Sequence, residues 1–231
     1  MPITAYQHRT IHSRNPLARF AHRARTAKAL SLIRRHLPKD GAMLDFGCAG
    51  GELLRNVRTI FPATRLYGLD PFQQDGEGYI HLRSPAQCEG LTFDLITGFE
   101  VLEHLGDSAT ESFFRLVSEQ LAPAGVAIVS APNMLGPALA MKLLHGAVSS
   151  GSAMNYSARE AIDAMLTLKS PPRLQPSRSG TMRHKGYDWR ITRARIAREF
   201  DITWETFTPI AGMWWGFNSQ WFCVFRPRRT D

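Results

Sequence analysis

The chain alternates between short apolar runs and stretches in which apolar residues recur at helical spacing. The runs predict strands, with a first run that ends on Asp45 and later runs at residues 65–69, 79–82, 93–98 and 126–130. The helical stretches between them lie at residues 22–37, 52–61 and 111–121. Strands that alternate with helices predict a parallel sheet with helices on both faces, in which ligands bind beyond the carboxyl ends of the strands.

The pattern changes in the third quarter of the chain. Residues 134–147 and 157–168 predict two helices, and Ser157 with Glu160 forms a capping box at the start of the second. A Ser/Gly-rich joint separates the helices, and a Pro-rich stretch follows them. Such a composition is typical of a segment that moves between open and closed forms. We therefore expect residues 134–190 to form an insertion that acts as a lid.

The remaining segments complete one domain, since 231 residues with 44% hydrophobic content can bury one substantial core. Residues 1–40 would form a polar arm and a helix, and residues 41–133 would form the ligand-binding core. Residues 191–231 would form a C-terminal helix and a β-hairpin. The helix is predicted to be capped by Thr192, and the hairpin strands are predicted at residues 202–208 and 220–226.

Residues Met43–Gly51, MLDFGCAGG, place a small Gly-rich turn between the first strand and the helix after it. Glycine lets a ligand approach the main chain closely, and the helix N-terminus after such a turn offers backbone N–H groups. Asp45 lies beneath this turn, and Asp70 ends the second strand. An acid about twenty residues beyond a Gly-rich turn is placed to accept hydrogen bonds from both ribose hydroxyls. The sequence predicts a nucleotide-type site with Asp70 on the ribose.

Charge is distributed unevenly along the chain, whose formal net charge is +8. Residues 1–39 contain nine Lys or Arg and no acid, and residues 165–198 contain nine more against the single acid Asp188. Both basic stretches lie outside the Gly-rich unit, so they would flank a substrate and favour anionic substrates or partners. No apolar run reaches the ~20 residues that cross a bilayer, and the three cysteines have no disulfide or zinc spacing. We expect a cytoplasmic protein without membrane insertion.

In this order, the motifs resemble those of the class I S-adenosylmethionine-dependent methyltransferases. LDFGCAGG corresponds to the cofactor loop, LYGLD to the ribose acid, FDLITGFEVLEHL to the fourth strand and the motif after it, and GVAIVSAPN to the fifth strand. The resemblance implies an α/β, Rossmann-like, doubly wound sheet of seven mostly parallel strands. The last would be an antiparallel edge strand, and a helical insertion would precede the last two strands. A dehydrogenase of similar layout would carry G-x-G-x-x-G, which this loop lacks.

The resemblance also implies S-adenosylmethionine as the cofactor and S-adenosylhomocysteine as the product. Asp45 and the loop backbone would hold the methionine part, Asp70 the ribose, and Phe99 one face of the cofactor near the sulfur. The full set of cofactor-binding residues implied is Asp45, Gly47, Cys48, Ala49, Gly51, Asp70, Pro71, Phe99 and Glu100. The sequence departs from the family pattern at Ala49, where a second glycine is usual, and at residues 84–89, where an acid facing the adenine is common.

Glu100, Glu103 and His104 lie at i, i+3 and i+4, so they would share one face if this stretch is helical. Three interpretations stay open. His104 is a general base, the three residues hold a divalent cation that acidifies a hydroxyl, or His104 is a surface residue of a helix. The metal arrangement resembles relatives that methylate ubiquinone precursors or the 3′-terminal ribose of small RNAs, but the motif around His184 matches them only in part. We assign His104 and His184 as catalytic residues and no residue as a metal ligand.

The sequence thus predicts a single-domain enzyme that uses S-adenosylmethionine to methylate a small molecule, with an anionic acceptor and an oxygen atom favoured. One alternative is a metal-assisted RNA ribose 2′-O-methyltransferase that uses the two basic stretches. The other is a regulatory or interaction protein that binds the cofactor and lacks catalytic groups.

Overall fold

The structure, a computed structural model, describes residues 16–73, 76–150, 155–173 and 184–228 of the chain. Most of the predicted N-terminal arm therefore lies outside the described residues. The strands are β1 (Ala42–Phe46), β2 (Arg65–Leu69), β3 (Ile80–Leu82), β4 (Phe93–Phe99), β5 (Leu121–Pro132), β6 (Phe200–Thr208) and β7 (Gln220–Pro227). Every apolar run singled out in the sequence forms one of these strands.

All seven strands form one sheet in the order β3-β2-β1-β4-β5-β7-β6. The strands from β3 to β5 pair in parallel, whereas β7 is antiparallel to both β5 and β6. The predicted fold class, with its antiparallel last strand, is confirmed. One detail of the resemblance is wrong: the last strand lies inside the sheet, and β6 is the edge strand. Consistent with this inner position, residues 220–225 of β7 are all buried.

Helices cover both faces of the sheet. They are α1 (Pro16–His36), α2 (Glu52–Ile60), α3 (Asp107–Gln120), α4 (Pro137–Ser150), α5 (Ala158–Ile162) and α6 (Trp189–Glu199). On one face, Ile33 of α1 and Val57 of α2 share an apolar cluster with sheet residues. On the other face, Phe114 of α3 and Ile196 of α6 belong to a second cluster. None of the helices in the described parts of the chain is long and apolar enough to cross a membrane.

The start of α6 differs from the sequence prediction. The helix begins at Trp189 and is capped by Asp188, whose Oδ1 accepts a hydrogen bond from Arg190 N at 3.0 Å. Thr192, the predicted cap, lies inside the helix, and its hydroxyl is 2.9 Å from the Tyr187 hydroxyl. Both residues are favoured caps, and with the Asp188 cap the helix starts at Trp189, whose ring belongs to the core.

The insertion consists of α4, α5 and a π-helical turn, Asp163–Thr167, that continues α5. Ser157 and Glu160 form the predicted capping box with both reciprocal hydrogen bonds. A small apolar cluster joins these helices and includes Met134, Leu135, Leu139 and Ala164. Residues 151–154 and 174–183, which include parts of the predicted joint and of the Pro-rich stretch, lie outside the described residues. The predicted lid movement stays a prediction.

Candidate active site

The loop between β1 and α2 has an unusual backbone. Gly47, Ala49 and Gly51 have φ angles of 74°, 46° and 71°, in the left-handed region that favours glycine. The N–H groups of Gly47 and Cys48 both donate to the Leu69 carbonyl, at 2.7 and 3.4 Å, and Gly51 N–H donates to the Cys48 carbonyl. These bonds tie the loop to the end of β2. The three N–H groups are therefore not the free donors that the Gly-rich turn suggested.

The loop leaves space for a ligand at its tip and none beneath. A Cβ atom at Gly47 would lie 2.3 Å from Val101 Cγ2, and one at Gly51 would lie 2.3 Å from Tyr79 Cε1. Both positions therefore exclude a side chain. Ala49 at the tip of the loop is partly exposed, so a ligand can reach the main chain there. This arrangement fits the nucleotide-type cofactor that the sequence predicts.

Asp70 follows β2 directly and is held by the backbone on both sides. Its Oδ2 accepts a hydrogen bond from Ala49 N at 3.1 Å, and its Oδ1 accepts one from Phe72 N at 2.9 Å. The carboxylate is thus fixed beside the loop, as a ribose ligand requires. Phe72, which was not predicted from the sequence to be a site residue, is 79% exposed and follows the exposed Pro71.

Asp45 and Cys48 lie below the loop. The Asp45 carboxylate is buried and accepts a hydrogen bond from the Thr97 hydroxyl at 2.7 Å. Burial raises the pKa of Asp45 to about 7, although the Thr97 bond acts in the opposite direction. Burial likewise raises the pKa of the Cys48 thiol, so this side chain stays protonated and packs in the core. At the end of β4, the Phe99 ring lies 6.0 Å from the Phe222 ring.

Glu100 adopts a left-handed conformation, with φ of 55°, so the predicted helical face through this residue does not form. Its N–H donates to the Ser130 carbonyl at 3.1 Å. Arg25 Nη1 donates to its Oε2 at 2.9 Å, and Gln220 Nε2 donates to its Oε1. Burial alone would raise the pKa of Glu100, but the Arg25 charge and the Gln220 bond outweigh it and lower the pKa. Glu100 is therefore a fixed anion.

Glu103, His104 and His184 form a compact cluster. A short 3-10 helix, Leu102–His104, carries the first two, and His184 comes from the insertion. The Nε2 atoms of the two histidines are 3.0 Å apart, so one ring donates to the other. Burial, followed by the charge of His104, lowers the pKa of His184 to about 4. His184 is thus neutral near pH 7.

The Glu103 carboxylate is fully buried, and neither of its oxygens has a hydrogen-bond partner among the described residues. Burial, and then the negative charge of Glu100, raise its pKa well above the ordinary value. One oxygen lies 4.0 Å from His104 Nε2. Glu103, His104 and His184 can each offer one ligand atom, and these atoms lie within 4.8 Å of one another. A buried carboxylate in this setting is neutral or faces a cation.

Three basic side chains from distant segments converge on this region. Arg25 on α1 binds Glu100 and also donates to His22 Nδ1 at 2.9 Å. Lys142 on α4 donates to the carbonyls of Asn133 and Ser219, each at 2.9 Å. Burial lowers the pKa of Lys142 to about 8, against the opposing effect of the nearby acids.

The third basic residue is Arg173, whose Nη2 donates to the Glu103 carbonyl at 2.7 Å. None of Arg25, Lys142 and Arg173 was predicted from the sequence to be a site residue. Arg25 and Arg173 lie within the two basic stretches, residues 1–39 and 165–198, and this excess of charge was the one signal in the sequence for them. Lys142 lies outside both basic stretches, so no signal in the sequence marked it.

The sheet order, the Gly-rich loop and the acids at the strand ends together define the class I methyltransferase fold. The sequence matches the family of the methyltransferase domain over residues 17–168, which is more than half of the chain. The chain therefore belongs to this family and is an S-adenosylmethionine-dependent methyltransferase. S-adenosylmethionine is its cofactor. No curated protein matches the sequence.

Solved structures with the same fold share little sequence with this chain. The PH0226 protein from Pyrococcus horikoshii OT3 has 13% identity and a TM-score of 0.56, with 97% of this chain and 99% of that chain covered. Magnesium protoporphyrin IX methyltransferase (ChlM) from Synechocystis PCC 6803, with bound S-adenosylhomocysteine, has 15% identity and a TM-score of 0.54, with 97% and 95% covered. The methyltransferase domain of bacterial CtHen1 has 15% identity and a TM-score of 0.51, with 89% and 99% covered.

Proposed function

We propose that the cofactor lies over the Gly47–Gly51 loop, with its ribose on Asp70 and its methionine part towards Asp45. The support is the fixed Asp70 carboxylate, which two backbone N–H groups orient. Each oxygen keeps a lone pair for a ribose hydroxyl. Phe72, two residues after Asp70, is exposed, so its ring could stack on the adenine. Phe99 and Glu100 at the end of β4 would border the sulfur end.

Replacement of Asp70 tests this placement. A hydrogen bond to a charged group contributes roughly 1.5–3 kcal/mol, so Asp70→Ala should weaken S-adenosylmethionine binding about tenfold or more. Isothermal titration calorimetry measures the change. Asp201→Ala is the matched control, because it removes an exposed carboxylate that follows the first residue of the edge strand. Equal affinity in wild type and Asp70→Ala would place the ribose elsewhere.

We propose further that the enzyme methylates a hydroxyl oxygen of a small, anionic acceptor. The observation that carries this proposal is the 3.0 Å contact between His104 Nε2 and His184 Nε2 beside the end of β4. A hydroxyl that enters between the rings accepts a hydrogen bond from one Nε2–H and donates its own proton towards the other Nε2. The rings have to move apart to admit it. His104 is the base in this arrangement, and the neutral His184 orients the hydroxyl.

The reaction is balanced by the loss of one proton. The acceptor oxygen attacks the methyl carbon, the carbon–sulfur bond breaks, and S-adenosylhomocysteine leaves as a neutral thioether. The hydroxyl proton passes to His104 and then to water. Since the sulfonium is already activated, the main contributions of the protein are alignment and proton removal. Arg25, Lys142 and Arg173 surround this region and support an anionic acceptor.

Substitution of His104 tests the chemistry. With radiolabelled S-adenosylmethionine and a small-molecule fraction that accepts the methyl group, His104→Ala should lower turnover about 10²-fold, the usual size of a lost acid–base group. Its affinity for S-adenosylmethionine should stay within about twofold of wild type, since no cofactor contact is assigned to His104. Full turnover in His104→Ala would show that this histidine is not the base.

A second candidate is metal-assisted transfer, favoured by the unpartnered carboxylate of Glu103 beside both histidines. The structure changes the ligand set considered from the sequence, because Glu100 is occupied by Arg25 and Gln220 while His184 joins the cluster. Such a cation would acidify an acceptor hydroxyl. Loss of activity in EDTA, restored by Mg²⁺, would select this candidate over the metal-free base.

The salt dependence of acceptor binding separates the two acceptor classes. If the affinity of the enzyme for its acceptor falls steeply as salt is added, the acceptor is an RNA. A weak salt dependence of that affinity indicates a small molecule.

A further inference from the structure

Several large apolar side chains are exposed around the carboxyl edge of the sheet. They come from separate elements, namely α1, α4, the turn after α5 and the connection from β6 to β7. We call the following six residues the apolar rim: Phe20, Met141, Leu144, Leu166, Trp214 and Phe217. Each is more than two fifths exposed, with Leu144 at 68% and Leu166 at 78%.

The rim residues are not needed to hold their elements in place. On α4, Leu139 and Leu143 face the small cluster of the insertion, whereas Met141 and Leu144 lie three residues apart on the opposite face. Ala164 is buried in the π-helical turn, and Leu166 faces away. The Trp214 and Phe217 rings contact each other at 5.6 Å but remain about half exposed. α4, the π-helical turn and the connection from β6 to β7 thus each expose apolar side chains to solvent in the described chain.

Hydrogen bonds show that these elements adjoin one another. Lys142 on α4 binds the Ser219 carbonyl next to β7 at 2.9 Å. Gly136, just before α4, donates to the Ala164 carbonyl of the π-helical turn at 3.0 Å. Arg25 fixes α1 at the end of β4. Phe20 lies five residues earlier, about 7.5 Å further along the helix axis, beyond the sheet edge.

The basic residues beside Phe20 favour an anionic partner for the rim. Arg19 and Arg23 flank Phe20 on α1 and are exposed, and α1 contains no acid. A second copy of this +8 chain would bring like charges together, whereas an anionic surface attracts them. Tryptophan is favoured at the interface of a bilayer, and basic residues gain energy from anionic headgroups.

We propose that the apolar rim docks the protein peripherally on an anionic lipid bilayer. Trp214 and Phe217 enter the headgroup region together with the rim residues of α4, and Arg19 and Arg23 bind anionic headgroups. Since the rim surrounds the carboxyl edge of the sheet, docking turns the acceptor side of the enzyme towards the membrane. The proposal holds whether the reaction uses His104 as a base or a metal ion.

Vesicle co-sedimentation of the full chain tests the proposal. The protein should bind vesicles of phosphatidylcholine with phosphatidylglycerol, and binding should fall as salt is added, because exposed charges are screened. Neutral phosphatidylcholine vesicles should bind at least about tenfold more weakly, because the attraction between the basic residues and anionic headgroups is then missing. Trp214→Ser with Phe217→Ser should lower binding to the anionic vesicles about tenfold or more.

Ile80→Ser is the matched control. Ile80 is 54% exposed, like the rim residues, but lies on β3 at the far edge of the sheet, so this variant should bind as wild type does. The double variant should keep wild-type affinity for S-adenosylmethionine, which shows that it folds and separates this test from that of the reaction. Unchanged vesicle binding in the double variant, or no binding by wild type, overturns the proposal. So does self-association in sedimentation velocity that the double variant loses, because a second copy then covers the rim.

Discussion

Two residues that are not glycine adopt left-handed conformations at the site, Ala49 with φ of 46° and Glu100 with φ of 55°. Such conformations cost on the order of 1–3 kcal/mol and persist only where the surroundings enforce them. The Asp70 carboxylate holds Ala49 through its N–H, and Arg25 and Gln220 hold Glu100 through its carboxylate. The strained positions therefore coincide with the contacts that join the loop, the end of β2, α1 and β7 at the carboxyl edge of the sheet.

At residue scale, Gly47 gives the sharpest prediction. Gly47→Ala should lower the affinity for S-adenosylmethionine at least about tenfold, because a Cβ would lie 2.3 Å from Val101 Cγ2 and φ is 74°. Calorimetric titration of the two proteins measures this. Gly106→Ala is the control, since no atom lies within 4 Å of its added Cβ and its φ is −76°. If both variants bind as wild type does, the loop backbone does not shape the cofactor site.

The candidate site residues that could be predicted from the sequence are mainly those that belong to a recognisable pattern of neighbouring strands, turns and helices. Asp70 follows a strand and a Gly-rich turn, and the structure fixes its carboxylate beside that turn. His104 and His184 lie 80 positions apart, and the structure brings their rings together. Arg25 and Lys142 were missed, because a long-range contact of a charged residue on a helix leaves no local pattern. Glu100 was expected on a helix but adopts a left-handed conformation. This could not be predicted locally, because its partners Arg25 and Gln220 are distant in the sequence.

At the scale of elements, helix and strand types were predictable because the apolar periodicity changes between the two. The boundaries of the elements were less predictable than their types. β5 begins at Leu121, well before the predicted start at Val126, because a bulge lets Leu121 pair with Phe93. In the described residues, a small apolar cluster joins the insertion helices to the connection from β6 to β7. The four buried side chains of this cluster contrast with the continuous core under the sheet. Low local burial of this kind favours local opening.

The insertion should be less protected from amide hydrogen exchange than the central sheet. Amide hydrogen exchange in α4 and α5 should be faster than in β7 of the free protein, since few apolar contacts hold the insertion. Exchange there should slow when S-adenosylmethionine and the acceptor bind together, because His184, which follows the insertion helices, lies at the proposed acceptor position. Mass spectrometry of peptides from 137–150 and 158–168, compared with 220–227, measures both effects. High protection of the insertion in the free protein would make it a rigid part of the fold.

At the scale of the whole molecule, the site combines buried groups of both signs with a strongly basic chain. Arg25 and Glu100 form an ion pair at 2.9 Å, and Lys142 lies close enough to be affected by Glu100 and Glu103. These groups come from α1, from α4 and from the segment that follows β4. The charge of each group depends on the whole fold, so protonation at the site and stability of the fold are linked.

His184 makes this linkage measurable. Its pKa is about 4 in the folded protein and 6.5 in an unperturbed imidazole, because burial disfavours the charged ring and His104 adds to the effect. As pH falls, the unfolded chain therefore binds this proton first. The stabilisation is present above pH 6.5 and is lost as pH falls towards 4. Integration of the proton linkage gives a loss of about 2 kcal/mol between pH 7 and pH 5.

Urea unfolding of wild type and of His184→Gln at both pH values isolates this contribution. All other titrating groups are shared, so the difference in unfolding free energy between the two proteins should shrink by about 2 kcal/mol from pH 7 to pH 5. The glutamine keeps a polar side chain of similar reach, which limits the change in packing. A difference that stays constant with pH would mean that His184 titrates alike in the folded and unfolded states, and that it is open to water beside His104 in the folded protein.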